Sequence, residues 1–154
     1  MIKKISLILK CIFLLVLLSN CGFEPIYKNI NNKINIEIIS IQGETNINNH
    51  FKNKFKSYMG SGKTDIYKIK IISKYDEIIL VKDSLGNVTN YRIKLNVVIY
   101  TNKKGKDLSF NYDKTFDFNK TSSAFEDENY ERIVLKDMIN SIIEEFVVDI
   151  MQIE

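Results

Sequence analysis

The sequence of 154 residues is poor in the residue types that build most catalytic and metal sites. It has one histidine, His50, two cysteines, one proline and no tryptophan. Without a cluster of histidines or cysteines, the chain offers no typical zinc-ligand set. A Ser-His-Asp triad would have to use His50, and no nucleophile-elbow motif lies near it. We therefore expect a protein that is not an enzyme and that needs no metal and no cofactor.

A glycine-rich stretch, Ser57–Thr64, has the spacing of a phosphate-binding loop but lacks its first glycine, which is replaced by Ser57. The motif normally leaves a strand and opens a helix. Here the apolar periodicity predicts the reverse order, with a helix before the stretch and a strand after it. The pattern therefore predicts the end of a helix followed by a turn.

The N-terminus has the features of an export signal. Lys3 and Lys4 precede an apolar run that ends in Leu18-Ser19-Asn20-Cys21-Gly22, which is typical of a lipoprotein signal peptide, although Asn20 departs from the usual Gly or Ala. A transmembrane helix is the alternative, but it needs about 20 apolar residues, and this run is shorter and contains Lys10. We predict a signal peptide over residues 1–20 and a lipid on Cys21, whereas the competing interpretation leaves Cys21 as an ordinary thiol.

Removal of that signal changes the charge balance of the chain. The signal contains 3 of the 22 basic residues and none of the 19 acidic ones, so the remaining chain has equal numbers of both. A nucleic-acid-binding protein normally keeps a positive field, and we therefore expect no nucleic-acid partner. Since Cys11 leaves with the signal, the exported part also has no disulfide and must rely on its apolar core.

Residues 21–33 contain the only proline and predict a lipidated tether, and residues 34–154 predict a single domain. Alternating isoleucines over Ile34–Ile41 predict a first strand. Apolar residues at every third or fourth position over Thr45–Met59 predict an amphipathic helix that stops at Gly60.

Three further strands and a helix follow. The second strand begins near Ile66, with a bend around Lys74–Glu77 before it resumes, and the turn residues Asp83–Asn87 lead into a third strand. The third strand has a clear apolar face, from Thr89 to Ile99, and a polar face. The tight turn Asn102–Lys106 precedes a fourth strand with alternating aromatic residues, which completes an antiparallel meander.

The last element is a long helix. Ser123 and Glu126 have the spacing of a capping box, and apolar residues from Leu135 to Ile150 keep helical spacing. The elements together predict an α+β fold, a two-layer sandwich. Its four-stranded mixed sheet, in the order strand, helix, three-strand meander and helix, carries two helices on one face.

Basic side chains on and beyond the third strand form the one candidate binding cluster in the sequence. Arg92 and Lys94 lie on the polar face of this strand, and Lys103, Lys104 and Lys106 surround the turn at its far end. Such a cluster could bind the phosphates of an anionic lipid. The alternative is a solvated turn in a lysine-rich sequence.

Residues at the start of the exported chain resemble a known family. Cys21-Gly22-Phe23-Glu24-Pro25-Ile26-Tyr27 is similar to the Cys-Gly-Phe-x-Pro-Leu-Tyr opening of the alphaproteobacterial form of LptE, the lipopolysaccharide-assembly lipoprotein. The resemblance continues with Val88–Arg92 at the start of the long strand. It ends with the stretch Ser122–Phe125 before the closing helix.

The resemblance implies a lipid-anchored protein on the periplasmic face of the outer membrane. Members of this family sit as a plug inside the LptD β-barrel, help it to assemble, and assist lipopolysaccharide on its way to the outer leaflet. The region implied to contact lipopolysaccharide corresponds to Arg92, Lys94 and the turn with Lys103, Lys104 and Lys106. Another envelope lipoprotein, acting as a scaffold or as an accessory subunit of a different lipid transporter, remains an alternative.

Overall fold

Four strands and two helices follow the periodicity of the sequence. In this computed structural model, the described residues are 34–59, 66–103 and 105–153. The strands are β1 (Asn35–Gln42), β2 (Ile66–Lys82), β3 (Val88–Lys103) and β4 (Lys106–Asn119), and the helices are α1 (Thr45–Phe55) and α2 (Ala124–Gln152). The predicted signal peptide, Cys21 and the tether lie outside the described residues.

The strands form one sheet in the order β1-β2-β3-β4. β1 and β2 are parallel neighbours joined through α1, whereas β2, β3 and β4 form an antiparallel meander. This arrangement confirms the predicted α+β fold, with a four-stranded mixed sheet and two helices on one face.

The core lies between the helices and one face of the sheet. Because side chains alternate across a strand, β3 buries every second residue from Tyr91 to Thr101 against the helices. Aromatic rings join the layers: Phe146 of α2 meets Phe55 of α1 and Phe110 of β4 edge to face, with ring centroids 6.2 and 5.4 Å apart. The two helices and the sheet therefore share one apolar core.

The helices differ from the sequence prediction only at their margins. α1 ends at Phe55, and its last turn tightens into a 3-10 helix, Lys56–Tyr58, closed by the hydrogen bond from Met59 N–H to the Lys56 carbonyl.

In α2 the Ser123 hydroxyl accepts a hydrogen bond from the Glu126 N–H at 3.3 Å, which confirms the predicted cap. The buried face of α2 includes Val134 and Val147 and leaves Leu135 partly exposed. No helix within the described ranges is long and apolar enough to cross a membrane.

The predicted bend in the second strand does not interrupt β2. Lys74–Glu77 stay paired with β3, and the register irregularities lie later, between Ile79 and Lys82. β3 supplies an unbroken row of partners along this stretch, so the polar residues remain in the ladder.

The first strand is much shorter than the second. β1 pairs with β2 from Asn35 opposite Ile66 to Gln42 opposite Ile72. The chain then leaves the sheet at Gly43, which has φ +137° and passes so close to Ser73 that a Cβ atom would lie 2.1 Å from the Ser73 hydroxyl oxygen. Only glycine fits this exit. Among the described residues, no strand pairs with β2 beyond Ile72 on the β1 side.

Candidate functional site

The sheet face opposite the helices carries polar side chains on β3 and β4. The register sets Arg92 opposite Asp117, Lys94 opposite Thr115 and Asn96 opposite Asp113. Directly opposed residues in an antiparallel pair share one face. Basic, amide and acidic groups thus meet across β3 and β4, and we call this surface the polar sheet face.

The central contact of the polar sheet face is an ion pair with two parallel hydrogen bonds. Arg92 Nε donates to Asp117 Oδ1 at 2.5 Å and Arg92 Nη2 donates to Asp117 Oδ2 at 2.8 Å. These bonds hold the pKa of Asp117 below its usual value and raise the pKa of Arg92. The guanidinium therefore already uses, in its contact with Asp117, two of the N–H groups that it would need to bind a phosphate in the same bidentate way.

The neighbouring groups on this face are paired in the same way. Lys94 Nζ lies 3.9 Å from Asp113 Oδ1, which also accepts a hydrogen bond from Asn96. At the far end of the strand, Asn102 donates to Asp107 at 2.7 Å. Cationic side chains on this part of the sheet are matched by carboxylates, so the face is polar but close to neutral.

The structure does not bring together the four predicted basic residues that it describes. Lys103 lies on the helix side of the sheet, with its ammonium group 5.4 Å from the centroid of the Tyr67 ring, and Lys106 is exposed opposite it. Lys104 lies outside the described residues. Since one strand residue spans about 3.3 Å, Lys94 and Lys103 are about 30 Å apart. Arg92 and Lys94 thus lie far from Lys103 and Lys106.

Sequence reasoning missed the acidic partners of Arg92 and Lys94. Asp113 and Asp117 lie on β4, which the sequence predicts as a strand from its alternating aromatic residues alone. The signal that could have found them is the short turn, because a hairpin of known turn length has a fixed register.

A cleft of about 900 Å³ lies on the helix side of the sheet, between the N-terminal turns of the two helices and strands β2 and β3. Its centre is a shared carboxylate. Tyr91 donates its hydroxyl to Glu131 Oε2 at 2.7 Å, and Tyr75 donates to Glu131 Oε1. Burial, together with these bonds to the charged Glu131, raises the pKa of both tyrosines.

The cleft mixes acidic and basic groups. Lys120 places its ammonium group 5.5 Å from the centroid of the Tyr91 ring, and His50 of α1 also lines the cleft. Within the described part of the chain, no three His, Cys, Asp or Glu side chains form a group that could hold a metal ion. The two tyrosine hydroxyls use both oxygens of Glu131, and the contact thereby ties α2 to the sheet.

A second exposed feature is the part of β2 that β1 leaves uncovered. We call Ser73–Lys82 the open edge. Four consecutive apolar residues of this segment, Ile78, Ile79, Leu80 and Val81, are each 41–54% exposed. Beyond them, Leu85 at the hairpin tip is 85% exposed.

Solved structures of three bacterial proteins share this fold. Rare lipoprotein B from Shewanella oneidensis matches with a TM-score of 0.55 and 13% identity, over 77% of this chain and 94% of that one. Lipoprotein B from Nitrosomonas europaea matches with a TM-score of 0.52 and 15% identity, over 82% and 88%. A minor lipoprotein from Acinetobacter baumannii matches with a TM-score of 0.50 and 14% identity, over 78% and 95%.

The sequence comparisons add no closer relative. No family model matches the chain, and no curated protein matches it significantly. At identities of 13–15%, the likeness establishes the fold: a four-stranded mixed sheet under two helices that this chain shares with three bacterial lipoproteins.

Proposed function

We propose that the chain is an outer-membrane lipoprotein that acts as plug and assembly partner of an LptD-type β-barrel in lipopolysaccharide transport. One observation carries the proposal. A domain with the fold of three bacterial lipoproteins, over 88–95% of their chains, directly follows a lipoprotein-like signal and the LptE-like opening Cys21–Tyr27.

The anchor in this proposal is Cys21. Its thiol is the atom that a lipoprotein signal presents for acylation, and the chain has no other cysteine after the signal. One acyl chain holds a protein at a membrane only weakly, whereas several chains give lasting attachment. If acyl label persists in Cys21→Ser, the anchor is elsewhere and this part of the proposal fails.

The domain has properties that suit a plug. β3 has 16 residues and is therefore about 50 Å long, which is comparable with the thickness of a bilayer with its headgroups. The polar sheet face matches its cations with carboxylates, as in the pair Arg92–Asp117. Such a surface can face a water-filled barrel interior without attracting or repelling a charged lipid along its whole length.

For lipopolysaccharide itself, we propose the lysine-rich turn as the contact. Three lysines within four residues concentrate positive charge in this turn, which favours the binding of a phosphate; Arg92 is engaged by Asp117 at 2.5 Å. Changing Lys103, Lys104 and Lys106 together to Glu should weaken binding to lipopolysaccharide micelles. Arg92→Gln serves as the matched control and should bind as the unchanged chain does; equal binding by both variants would contradict the assignment.

The barrel partnership is tested by affinity purification from detergent-extracted outer membranes. The tagged full chain should recover one large β-barrel protein in equimolar amount, and a Cys21→Ser chain should recover much less because it is no longer held at the membrane. Recovery of no large barrel would contradict the proposal and favour a scaffold or an accessory subunit of another lipid transporter.

A further inference from the structure

The cleft around Glu131 has more negative than positive charge in its walls. Its lining includes two cationic side chains, Lys120 and Arg132, and five carboxylates, those of Glu44, Glu77, Asp127, Glu128 and Glu131. The N-termini of α1 and α2 open beside it and add about half a positive charge each. With His50 neutral, an excess of about two negative charges remains, so the cleft attracts cations and repels phosphates and other anions.

The two cationic side chains of the cleft do not neutralise its carboxylates. Lys120 Nζ lies 5.5 Å from the centroid of the Tyr91 ring, and Arg132 Nη2 donates a hydrogen bond to the Asn129 side chain at 2.6 Å. The ion pairs in the described part of the chain involve neither of them. Among the described residues, the carboxylates of the cleft therefore have no cation in direct contact.

Two of these carboxylates meet at one hydroxyl group in the wall of the cleft. The Tyr75 hydroxyl donates to Glu131 and lies 3.4 Å from Glu77 Oε1. Burial, the hydrogen bond to Glu131 and the charges of both carboxylates raise the pKa of Tyr75. Because a neutral hydroxyl leaves both negative charges in place, a cation between Glu77 and Glu131 would relieve their repulsion.

The size and the walls of the cleft favour an arginine side chain over a bare ion. Its volume of about 900 Å³ lies within the range of about 300–1,000 Å³ that is typical of ligand cavities. No three carboxylates in the described ranges form a group that could hold a metal ion. A guanidinium group is planar and weakly hydrated, forms bidentate hydrogen bonds with carboxylates and packs on tyrosine rings. The partly buried Tyr75 supplies such a ring beside both carboxylates.

We propose that this cleft binds an arginine side chain of a partner protein, with the guanidinium group between Glu77 and Glu131 and with Glu128 at the rim. The rest of the volume takes the residues that flank this arginine, and the side-chain amides of Asn46 and Asn49 in the lining can bind their backbone groups. The partner in this inference need not be a β-barrel, and its test is therefore independent of the proposed role as a plug.

A peptide titration tests the site. The isotope-labelled full chain in detergent is titrated near neutral pH with acetyl-Gly-Arg-Gly-amide, and the shifts of its backbone amide signals in NMR spectra give a dissociation constant. Saturable shifts should appear at Tyr75, Tyr91 and Glu131. The same peptide with citrulline in place of arginine has nearly the same shape without the charge, and it should bind about tenfold more weakly or less tightly still.

Two double variants of equal charge locate the binding site. Glu77→Gln/Glu128→Gln removes two exposed carboxylates of the cleft and should raise the dissociation constant of the arginine peptide about tenfold or more. Glu37→Gln/Glu126→Gln removes two exposed carboxylates outside the cleft and should leave this constant unchanged.

Four results would overturn the proposal. The first is the absence of saturable shifts in the cleft at the highest soluble peptide concentration. The second is equal affinity for the arginine and citrulline peptides, and the third is an equal loss of affinity in the two double variants. The fourth is tighter binding of the diamine putrescine than of the arginine peptide, which would assign the cleft to a free amine and not to a protein side chain.

Discussion

Replacing Glu131 by alanine should release α2 from the sheet at the cleft. Glu131 accepts hydrogen bonds from the hydroxyls of Tyr75 and Tyr91, and Tyr91 is only 5% exposed. A hydrogen bond to a charged group contributes about 1.5–3 kcal/mol. Tyr75 can turn its hydroxyl to water when its partner is removed. We therefore expect the loss of both hydrogen bonds to lower the free energy of unfolding by about 2–4 kcal/mol.

Urea unfolding of the purified chain, followed by circular dichroism, measures this change. Glu128→Ala is the matched control: Glu128 is an exposed carboxylate on the same helix at the rim of the same cleft, and its loss should change stability by less than about 0.5 kcal/mol. In a Tyr75→Phe/Tyr91→Phe background, Glu131→Ala should cost less than about 1 kcal/mol. Equal effects of Glu131→Ala and Glu128→Ala in the unchanged background would contradict the role of Glu131 as the link between α2 and the sheet.

The same contact predicts a response to alkaline pH. The tyrosine pKa values are raised in the folded state, whereas unfolded tyrosines ionise near about pH 10. The folded state therefore holds its phenolic protons more tightly, and this contribution to stability is complete below about pH 10 and declines as the pH rises further. Glu131→Ala should make the decline shallower, which unfolding titrations at several alkaline pH values would show. An equally steep decline in this variant would contradict the role of Glu131.

Three further predictions follow from the core, the turn and the polar sheet face. Phe146→Ala should destabilise the domain by about 3–5 kcal/mol in urea unfolding, because the ring is fully buried; a loss under about 1 kcal/mol would show that this core is not packed as described. Gly43→Ala should cost about 1–3 kcal/mol, since a Cβ there meets Ser73 and the residue has a positive φ; a neutral effect in the same assay would contradict this chain path. Arg92→Gln should raise the pKa of Asp117 toward its usual value in an NMR titration, and an unchanged pKa would mean that the pair does not persist in solution.

The strands and helices could be predicted because their periodicities are long and regular. β3 alternates from Tyr91 to Ile99, and α2 keeps apolar residues at helical spacing over several turns. The end of α1 was less predictable, because a final 3-10 turn uses the same residues as an α-helical one. The bend expected near Lys74 was wrong because the pairing of β2 is decided by β3 and not by its own polar residues.

The candidate site could be predicted only in part, because its contacts join side chains of different strands and of a helix with strands. The alternation of β3 predicts that Arg92 lies on the polar face, whereas its partner Asp117 follows only from the hairpin register. From Lys103 opposite Lys106, each step back along β3 matches one step forward along β4. The separation of the turn lysines from Arg92 also follows from strand length. The shared carboxylate Glu131 leaves no such signal, since it joins a helix to two strands.

Photo-crosslinking from the polar sheet face tests the central claim most directly. A photoreactive residue in place of Asn111, which is exposed near the middle of β4, is introduced into the full chain and activated in intact outer membranes. The proposed role as a barrel plug predicts one crosslinked product that contains a large β-barrel protein. Crosslinks to no protein, or only to small envelope proteins, would contradict it.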